Sequence, residues 1–493
     1  EQREAVGIQR FQYGKLGELI EQMTAMAVAG KTSYWFKTHW NYDAWGRVRS
    51  ITYPDQEQVT YNYDQAGQLK SITSNLQGIP TSHDVVSNII YNDYGEREQI
   101  TYGNGTKTNY TYDTRRRLQN LSFNFTGFQQ TKRYSYDALS NILDIQSTTS
   151  TSPSTGVLGG PVNHSYTYDN YNRLIHAQGD YVGPNDHAPE MLRQEYSLDM
   201  LYDESHSILA KTQSHRMGAV ANIGDNLSNT AHFTPTAYHL EYEDYNRGEF
   251  STDGYNYSQP HAPRTIVQYP VDNPNDPRDP RVEKQLLDYD ANGNLTHIER
   301  EINNPDIPMD TTRESVRKFV WDEEDRLMGV DLRPESSRKQ PHIAAYTYDA
   351  SGERGIRYVP RQQETEHSGS SASYAQDMDI ILYPNALITV RPQEFPEHFD
   401  PMSMNPKHVY TTYTKHYYIG SERINSKLGT INNLGLLCEE LVNIKTQQAN
   451  EAMNKLYEDL DKDLEIERPY LYSENHRLVC NIKAHDPEMY DAY

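Results

Sequence analysis

Carboxylates recur along this chain at a regular address. An Asp follows a Tyr or Trp at Asp43, Asp64, Asp113, Asp137, Asp169, Asp203, Asp290, Asp322 and Asp349. A repeated acid of this kind could ligate calcium, serve as a general acid or base, or hold a turn. Calcium loops need several oxygen ligands at alternate positions, an Asp-x-Asp-x-Asp run. Here each Asp stands nearly alone beside an aromatic ring, and in most copies Gly or Asn follows within four residues, as in Tyr63-Asp64-Gln65-Ala66-Gly67 and Tyr289-Asp290-Ala291-Asn292-Gly293. An Asp side chain in that setting bonds the amides ahead of it, while Gly or Asn accepts a left-handed backbone. The turn role is the stronger reading.

Other chemistry is sparse. The 18 His residues show no His-Glu-x-x-His or paired ligand spacing, and neither a Gly-x-Ser-x-Gly elbow nor a phosphate loop occurs. His39, His176 and His297 read as surface or strand positions. Cys438 and Cys480 make neither a disulfide framework nor a metal-ligand spacing and read as reduced thiols, with a single disulfide as the other reading. The sequence therefore nominates no catalytic, cofactor-binding or metal-binding residue, no cofactor and no enzymatic activity.

The elements that carry the Asp residues are strands. Aromatic residues come in pairs two apart just before them: Trp40/Tyr42, Tyr61/Tyr63, Tyr110/Tyr112, Tyr134/Tyr136, Tyr166/Tyr168, Phe319/Trp321 and Tyr346/Tyr348. Period two places both rings on one face of a strand. A Leu, Val or Ile closes most copies (Val48, Leu69, Leu118, Ile142, Leu174, Ile208, Leu295, Leu327), and a second turn falls midway, at Tyr53-Pro54-Asp55-Gln56 and Tyr102-Gly103-Asn104-Gly105. Each unit of about 21 residues reads as two strands and two turns in an antiparallel meander.

Composition limits what that meander can enclose. Tyr (40) outnumbers Phe (10), and hydrophobic residues make up 36% with Tyr counted among them, against roughly 45–50% apolar in ordinary globular domains. About ten units give on the order of twenty strands, more than the roughly ten that an open twisted sheet tolerates before it curls or splits. Too few apolar residues remain for a two-sheet core, so the reading is a single-layer ribbon that spirals round a wide interior, with Tyr ladders joining its strands. The net charge of −23 argues against nucleic acid, which needs clustered cations. No apolar run approaches the roughly 18 residues of a membrane span. The chain opens inside repeat-like sequence (Phe11-Gln12-Tyr13-Gly14-Lys15-Leu16), which suggests a fragment or a processed product.

The Tyr-Asp-x-x-Gly-Arg-Leu copies, the intermediate Ile51-Thr52-Tyr53-Pro54-Asp55 and the lead-in Val59-Thr60-Tyr61-Asn62-Tyr63-Asp64 resemble the RHS/YD-repeat proteins of bacteria. That family includes the B and C components of Tc toxins and the Rhs polymorphic toxins, with animal teneurins as distant relatives. The resemblance covers roughly residues 11–360, plus His416-Tyr417-Tyr418-Ile419-Gly420-Ser421-Glu422-Arg423-Ile424, which looks like a segment near the end of such arrays. It implies an all-β fold, a long antiparallel YD-repeat β-ribbon spiralling into a hollow shell. The family's self-cleaving core carries Asp-Pro-x-Gly. None of the Asp-Pro steps here (Asp276-Pro277, Asp279-Pro280, Asp400-Pro401, Asp486-Pro487) is followed by x-Gly, so that activity is not carried over.

The expected organisation is a β-shell segment over 1–430, with degenerate repeats and loops at 205–285 and 360–410. An amphipathic helix follows over 431–468, from Leu434, Leu437, Leu441, Ile444, Leu456 and Leu460 at helical spacing, then a strand or loop segment over 469–493. The expected function is a secreted or bacterial cell-surface shell that encapsulates a C-terminal toxin before delivery. Its partners would be that toxin cargo and adjoining shell or delivery-system proteins. The alternative is a cell-surface adhesion or glycan-binding array, with Tyr faces stacking on sugars.

Overall fold

The computed structural model describes residues 2–432 apart from several stretches, the longest being 244–261, 361–377 and 395–408; residues 433–493 fall outside it, and with them the helix expected over 431–468. The described residues form thirty β-strands and no α-helix. Strands pair antiparallel, mostly with their neighbours in sequence. The all-β meander read from the sequence is the observed fold.

Local chemistry explains the strands. Gln58–Tyr63 reads Gln-Val-Thr-Tyr-Asn-Tyr, and Val59 and Tyr61 are buried on one face while Gln58 and Asn62 are exposed. Each Tyr-Asp step then closes a tight loop in which the Asp N–H donates to the carbonyl four residues on, as from Asp113 to Arg117 at 2.9 Å. The residue at the loop's third position after Asp has a positive φ. It is Gly in several copies (Gly46, Gly67, Gly293, Gly352), but Arg116, Ser140, Asn172, His206 and Asp325 in others. The expected Gly or Asn is therefore a preference that hydrogen bonding overrides.

The hairpins at Asp43, Asp113, Asp137, Asp169, Asp203, Asp290, Asp322 and Asp349 also carry a β-bulge. Thr111 pairs with Asn120 and Tyr112 with Leu118, which leaves Gln119 unmatched. The same skip leaves Leu143 over opposite Tyr136, Ile175 opposite Tyr168 and Leu209 opposite Tyr202. A bulge bends its strand and tightens the right-handed twist, so each repeat adds an increment of curvature at the same point of its hairpin.

Contacts divide the chain into two compact units. One comprises Tyr63–Ile72 and Asp84–Glu314. Its centre is a meander in which Lys107–Tyr112, Leu118–Phe125, Phe128–Tyr136, Ile142–Thr149, Val162–Tyr168, Leu174–Pro184, Met191–Tyr202 and Ile208–Val220 pair in succession. The stretch expected as degenerate over 205–285 begins with the long strand Ile208–Val220 and continues with the short strands Tyr238–Glu243 and Thr265–Tyr269 and turns in which Asn273, Asp279 and Val282 donate to carbonyls three residues back.

The other unit comprises Glu1–Asn62, Thr73–His83 and Ser315–Tyr493. Here the composition misleads, because this unit has a packed core. Val6, Met26, Val28, Tyr34 and Phe36 meet Ala345, Ile356, Tyr358, Ile380, Leu382, Ile388, Val390 and Tyr413. The apolar residues, thin on average, are concentrated in the first and last strands, where two stretches of ribbon face each other. Asn385 Nδ2 donates to Thr38 Oγ1 at 3.0 Å across the same contact.

Candidate functional site

The repeated unit of chemistry is a joint between successive repeats. Within one turn, Asp113 Oδ1 accepts from the amides of Arg115 (2.8 Å) and Arg117 (2.9 Å), and Oδ2 accepts from Arg117 Nε at 2.7 Å. The same clasp recurs at Asp43 with Arg47, Asp169 with Arg173 and Asp322 with Arg326. Asp137 uses Asn141 in place of the arginine. These bonds favour the ionised form. The Arg117 amide and guanidinium hold Asp113 below its ordinary value, and the Asn141 side chain does the same for Asp137. At Asp43, Asp169 and Asp322 desolvation works the other way and the bonds outweigh it.

The tyrosine reaches backwards. Tyr136 Oη donates to the Leu118 carbonyl at 2.7 Å, Tyr168 to Ile142 at 3.0 Å, Tyr202 to Leu174 at 3.0 Å, Tyr42 to Leu19 at 2.8 Å, Tyr91 to Leu69 at 2.9 Å and Tyr348 to Leu327 at 2.8 Å. In every case the acceptor is the residue with which the preceding repeat leaves its turn. Arginine completes the joint in the forward direction: Arg117 Nη1 donates to the Asp137 carbonyl at 3.0 Å while its guanidinium lies over the Tyr136 ring, 4.5 Å from the centroid. Arg173 does the same toward Asp203 and Tyr202. Burial raises the pKa of Tyr42, Tyr91, Tyr136, Tyr168, Tyr202 and Tyr348, which keeps these phenols as donors. The ladders expected from ring packing are thus made, in these repeats, of phenol-to-carbonyl bonds and arginine stacking.

In the unit containing Asp84–Glu314, one face of the meander is polar across eight strands. Thr111, Asn120, Arg133, Gln146, Asn163, Asp180, Glu195 and Arg216 stand opposite one another in register. A concavity of about 450 Å³ includes Gln146, Asn163, Asp180, Arg193, Glu195 and Arg216. Its arginines are paired, Arg193 with Glu195 at 2.7 Å and with Asp180 at 3.4 Å, and Arg216 with Glu195 at 3.3 Å.

In the other unit a buried ionic cluster lies where sequence reading saw only a turn and an end segment. Lys415 on the strand Val409–Ile419 is fully buried and bonds Asp55 Oδ2 at 2.5 Å and Glu57 Oε2. Ser74 Oγ and Tyr417 Oη also donate to Glu57, and Tyr413 Oη donates to Asp55 at 2.8 Å. Burial pushes Lys415 down to about 8, against the pull of Asp55. The available signal was the alternation Tyr413-Thr414-Lys415-His416-Tyr417, which puts a lysine on the buried aromatic face.

The singled-out histidines sit on strands beside carboxylates or amides: His39 near Glu21 and Asn41, His176 on Asp199 at 2.6 Å, His297 near Asp288 and Glu299. Among the described residues no group of three or more His, Cys, Asp or Glu is arranged to hold a metal ion. Asp279 of one Asp-Pro step is buried and held by Arg281 and Asn273; Asp400, Asp486, Cys438 and Cys480 lie outside the described residues.

The sequence profile of the RHS repeat matches residues 42–78. No curated protein sequence matches the chain. Among solved structures, that of TcdB2-TccC3-Cdc42 is similar with a TM-score of 0.59 at 16% identity, over 87% of this chain and 18% of that one. TcdB2-TccC3 gives 0.58 at 15% identity, over 87% and 19%. The Tc holotoxin pore of Photorhabdus luminescens gives 0.54 at 17% identity, over 83% and 17%. The likeness is one of fold, and the chain spans less than a fifth of the length of each of these chains. Residues 42–78 thus carry an RHS repeat, and the chain shares its fold with these Tc toxin structures.

Proposed function

We propose that this chain is a wall segment of a bacterial RHS-repeat toxin shell, which holds a C-terminal toxin cargo enclosed until delivery. It acts as a secreted or bacterial cell-surface component and works by enclosure, with no catalytic step of its own. Residues 1–430 form the wall in this reading, and the last described strand, Glu422–Asn432, carries it two residues into the segment expected over 431–468. Its partners are the cargo and adjoining shell or delivery-system proteins. Among the described residues no helix is long and apolar enough to cross a membrane.

The observation that carries the reading is the joint. Each tyrosine ties its repeat to the previous one through main-chain carbonyls, so the ribbon is held repeat to repeat along its length as well as by the core of the unit that contains its first and last strands. The likeness to Tc structures over 87% of the chain supports it. The test is limited proteolysis of the natural polypeptide that contains this chain. Segments following the repeats should resist protease until the wall is opened by denaturant, then be degraded in the same step. Degradation of those segments while the wall remains intact would contradict enclosure.

A further inference from the structure

The buried cluster around Lys415 is more than an ion pair. The turn Tyr53-Pro54-Asp55-Gln56-Glu57 delivers two carboxylates onto one lysine, and the Lys415 and Glu57 side chains are 0% exposed and that of Asp55 6%. The walls are aromatic. The Tyr53 and Tyr413 rings each lie 5.3 Å from Nζ, and the Tyr417 ring is tilted against Tyr53 with centroids 5.9 Å apart. Tyr53 Oη closes the lid by donating to the His416 carbonyl at 2.9 Å.

Two consequences follow from placing an amine and a carboxyl in such a box. Ionised partners out of water are poorly repaid by their mutual attraction, and burial already draws the lysine toward its neutral, nucleophilic form. Held contact also replaces a bimolecular encounter with an effectively unimolecular one, and effective molarities reach on the order of 10⁵ M or more in well-oriented cases.

The two carboxylates are not equivalent. Glu57 Oε1 accepts from Ser74 Oγ and from Tyr417 Oη at 3.1 Å, and Lys427 Nζ straddles the carboxylate, 3.4 Å from Oε1 and 3.3 Å from Oε2. Its other oxygen, Oε2, faces Lys415. That is the arrangement of an oxyanion site, with donors already aimed where negative charge would develop on attack at Cδ. Asp55 Oδ1 accepts from the Glu57 amide at 3.2 Å, and its Oδ2 lies against the amine and the Tyr413 phenol, which places it within reach of Nζ to relay a proton.

We propose that Lys415 and Glu57 condense into an intramolecular amide. A proton passes from the Lys415 ammonium to the Glu57 carboxylate, giving an amine and a carboxylic acid. The Nζ lone pair then attacks Cδ, forming the C–N bond while the charge on Oε1 is held by Ser74, Tyr417 and Lys427. Asp55 takes a proton from Nζ and returns it to Oε2. The Cδ–Oε2 bond breaks and one water leaves. No electrons change hands and no co-reactant is needed. The product ties together residues 358 apart in sequence, clamping the hairpin that contains Val48–Thr52 and Gln58–Tyr63 to the late hairpin that contains Val409–Ile419.

The experiment is the intact mass of the purified, denatured chain, followed by tandem mass spectrometry of its tryptic peptides. The expected mass is that of the sequence less one water. The peptide Ser50–Lys70 should be joined through Glu57 to His408–Arg423, in which Lys415 remains uncut. Lys415→Arg and Glu57→Ala should restore the full mass, and Asp55→Asn should slow or abolish the loss of water. A wild-type chain at full sequence mass overturns the proposal whatever the variants do, because that measurement needs no substitution to fold. A water lost elsewhere, as by cyclisation of Glu1, also overturns it, and so does an amide from Lys415 to Asp55.

Discussion

The phenol of Tyr136 donates a 2.7 Å hydrogen bond to the main-chain carbonyl of Leu118, the residue with which the preceding repeat leaves its turn. The relationship recurs from Tyr42 with Leu19 to Tyr348 with Leu327. It gives the Tyr of the Tyr-Asp step a reason that Phe cannot satisfy.

Tyr136→Phe keeps the ring and its stacking with Arg117 but leaves the Leu118 carbonyl without that donor. The expected cost is about 1 kcal/mol, the usual net value of such a bond. It is read as a lower urea midpoint, and Tyr136→Phe combined with Tyr348→Phe should add nearly independently, since the two joints lie in different units. An unchanged midpoint would remove the joint from the account of stability.

Arg117→Lys should destabilise although charge is conserved. A lysine cannot hold Asp113 with the planar fork, reach the Asp137 carbonyl and cover the Tyr136 ring at once. The midpoint should fall further than for Tyr136→Phe, because the arginine serves both its own turn and the next. Equal stability of Arg117→Lys and wild type would show that only its charge matters.

The left-handed turn position yields substitutions of unequal cost. Gly46 has φ of 75° and open space where a Cβ would stand, so Gly46→Ala should cost about 1 kcal/mol through backbone strain alone. Ser140 has the same φ of 75°, so Ser140→Gly should relieve backbone strain and, with the exposed 3.2 Å bond from Arg117 Nη1 to its Oγ lost, should cost less than Gly46→Ala or stabilise slightly. Thermal or urea unfolding measures the difference.

Stability should fall at both ends of the pH scale, for separate reasons. The turn carboxylates Asp43, Asp113, Asp137, Asp169 and Asp322 have folded pKa values depressed below the ordinary 3.8. Their contribution is complete above that value and is lost as pH falls from about 4 through the lower folded values. The joint tyrosines have folded values raised above 10.0, so their contribution is complete below pH 10 and is lost as pH climbs beyond it. Denaturant midpoints that stay flat from pH 5 to 3, or tyrosinate absorbance that develops fully while the β-sheet spectrum is intact, would contradict these assignments.

The turns were legible because their chemistry is local. Asp113 and Asp290 bond amides two and four residues ahead, and Asp64 the amide four ahead, well within what a short window of sequence reveals. The target of each tyrosine was not legible, since a main-chain carbonyl such as that of Leu118 carries no side-chain signature. Nor were the bulges, for the residues left over, polar Gln119 and aliphatic Leu143, Ile175 and Leu209, carry no common turn signal. The core of Val6, Phe36, Tyr358 and Leu382 was hidden by averaging composition over the whole chain. The Lys415 cluster was hidden by distance, its partners Asp55 and Glu57 lying on a hairpin near the other end of the sequence.

Electron cryomicroscopy of the natural polypeptide that contains this chain tests enclosure most directly. The account predicts a continuous wall of antiparallel strands, jointed as Tyr136 is to Leu118, around an enclosed space that holds density from the segment following the repeats. Repeats packed into solid bodies, with no enclosed space and with that segment lying outside them, would contradict it.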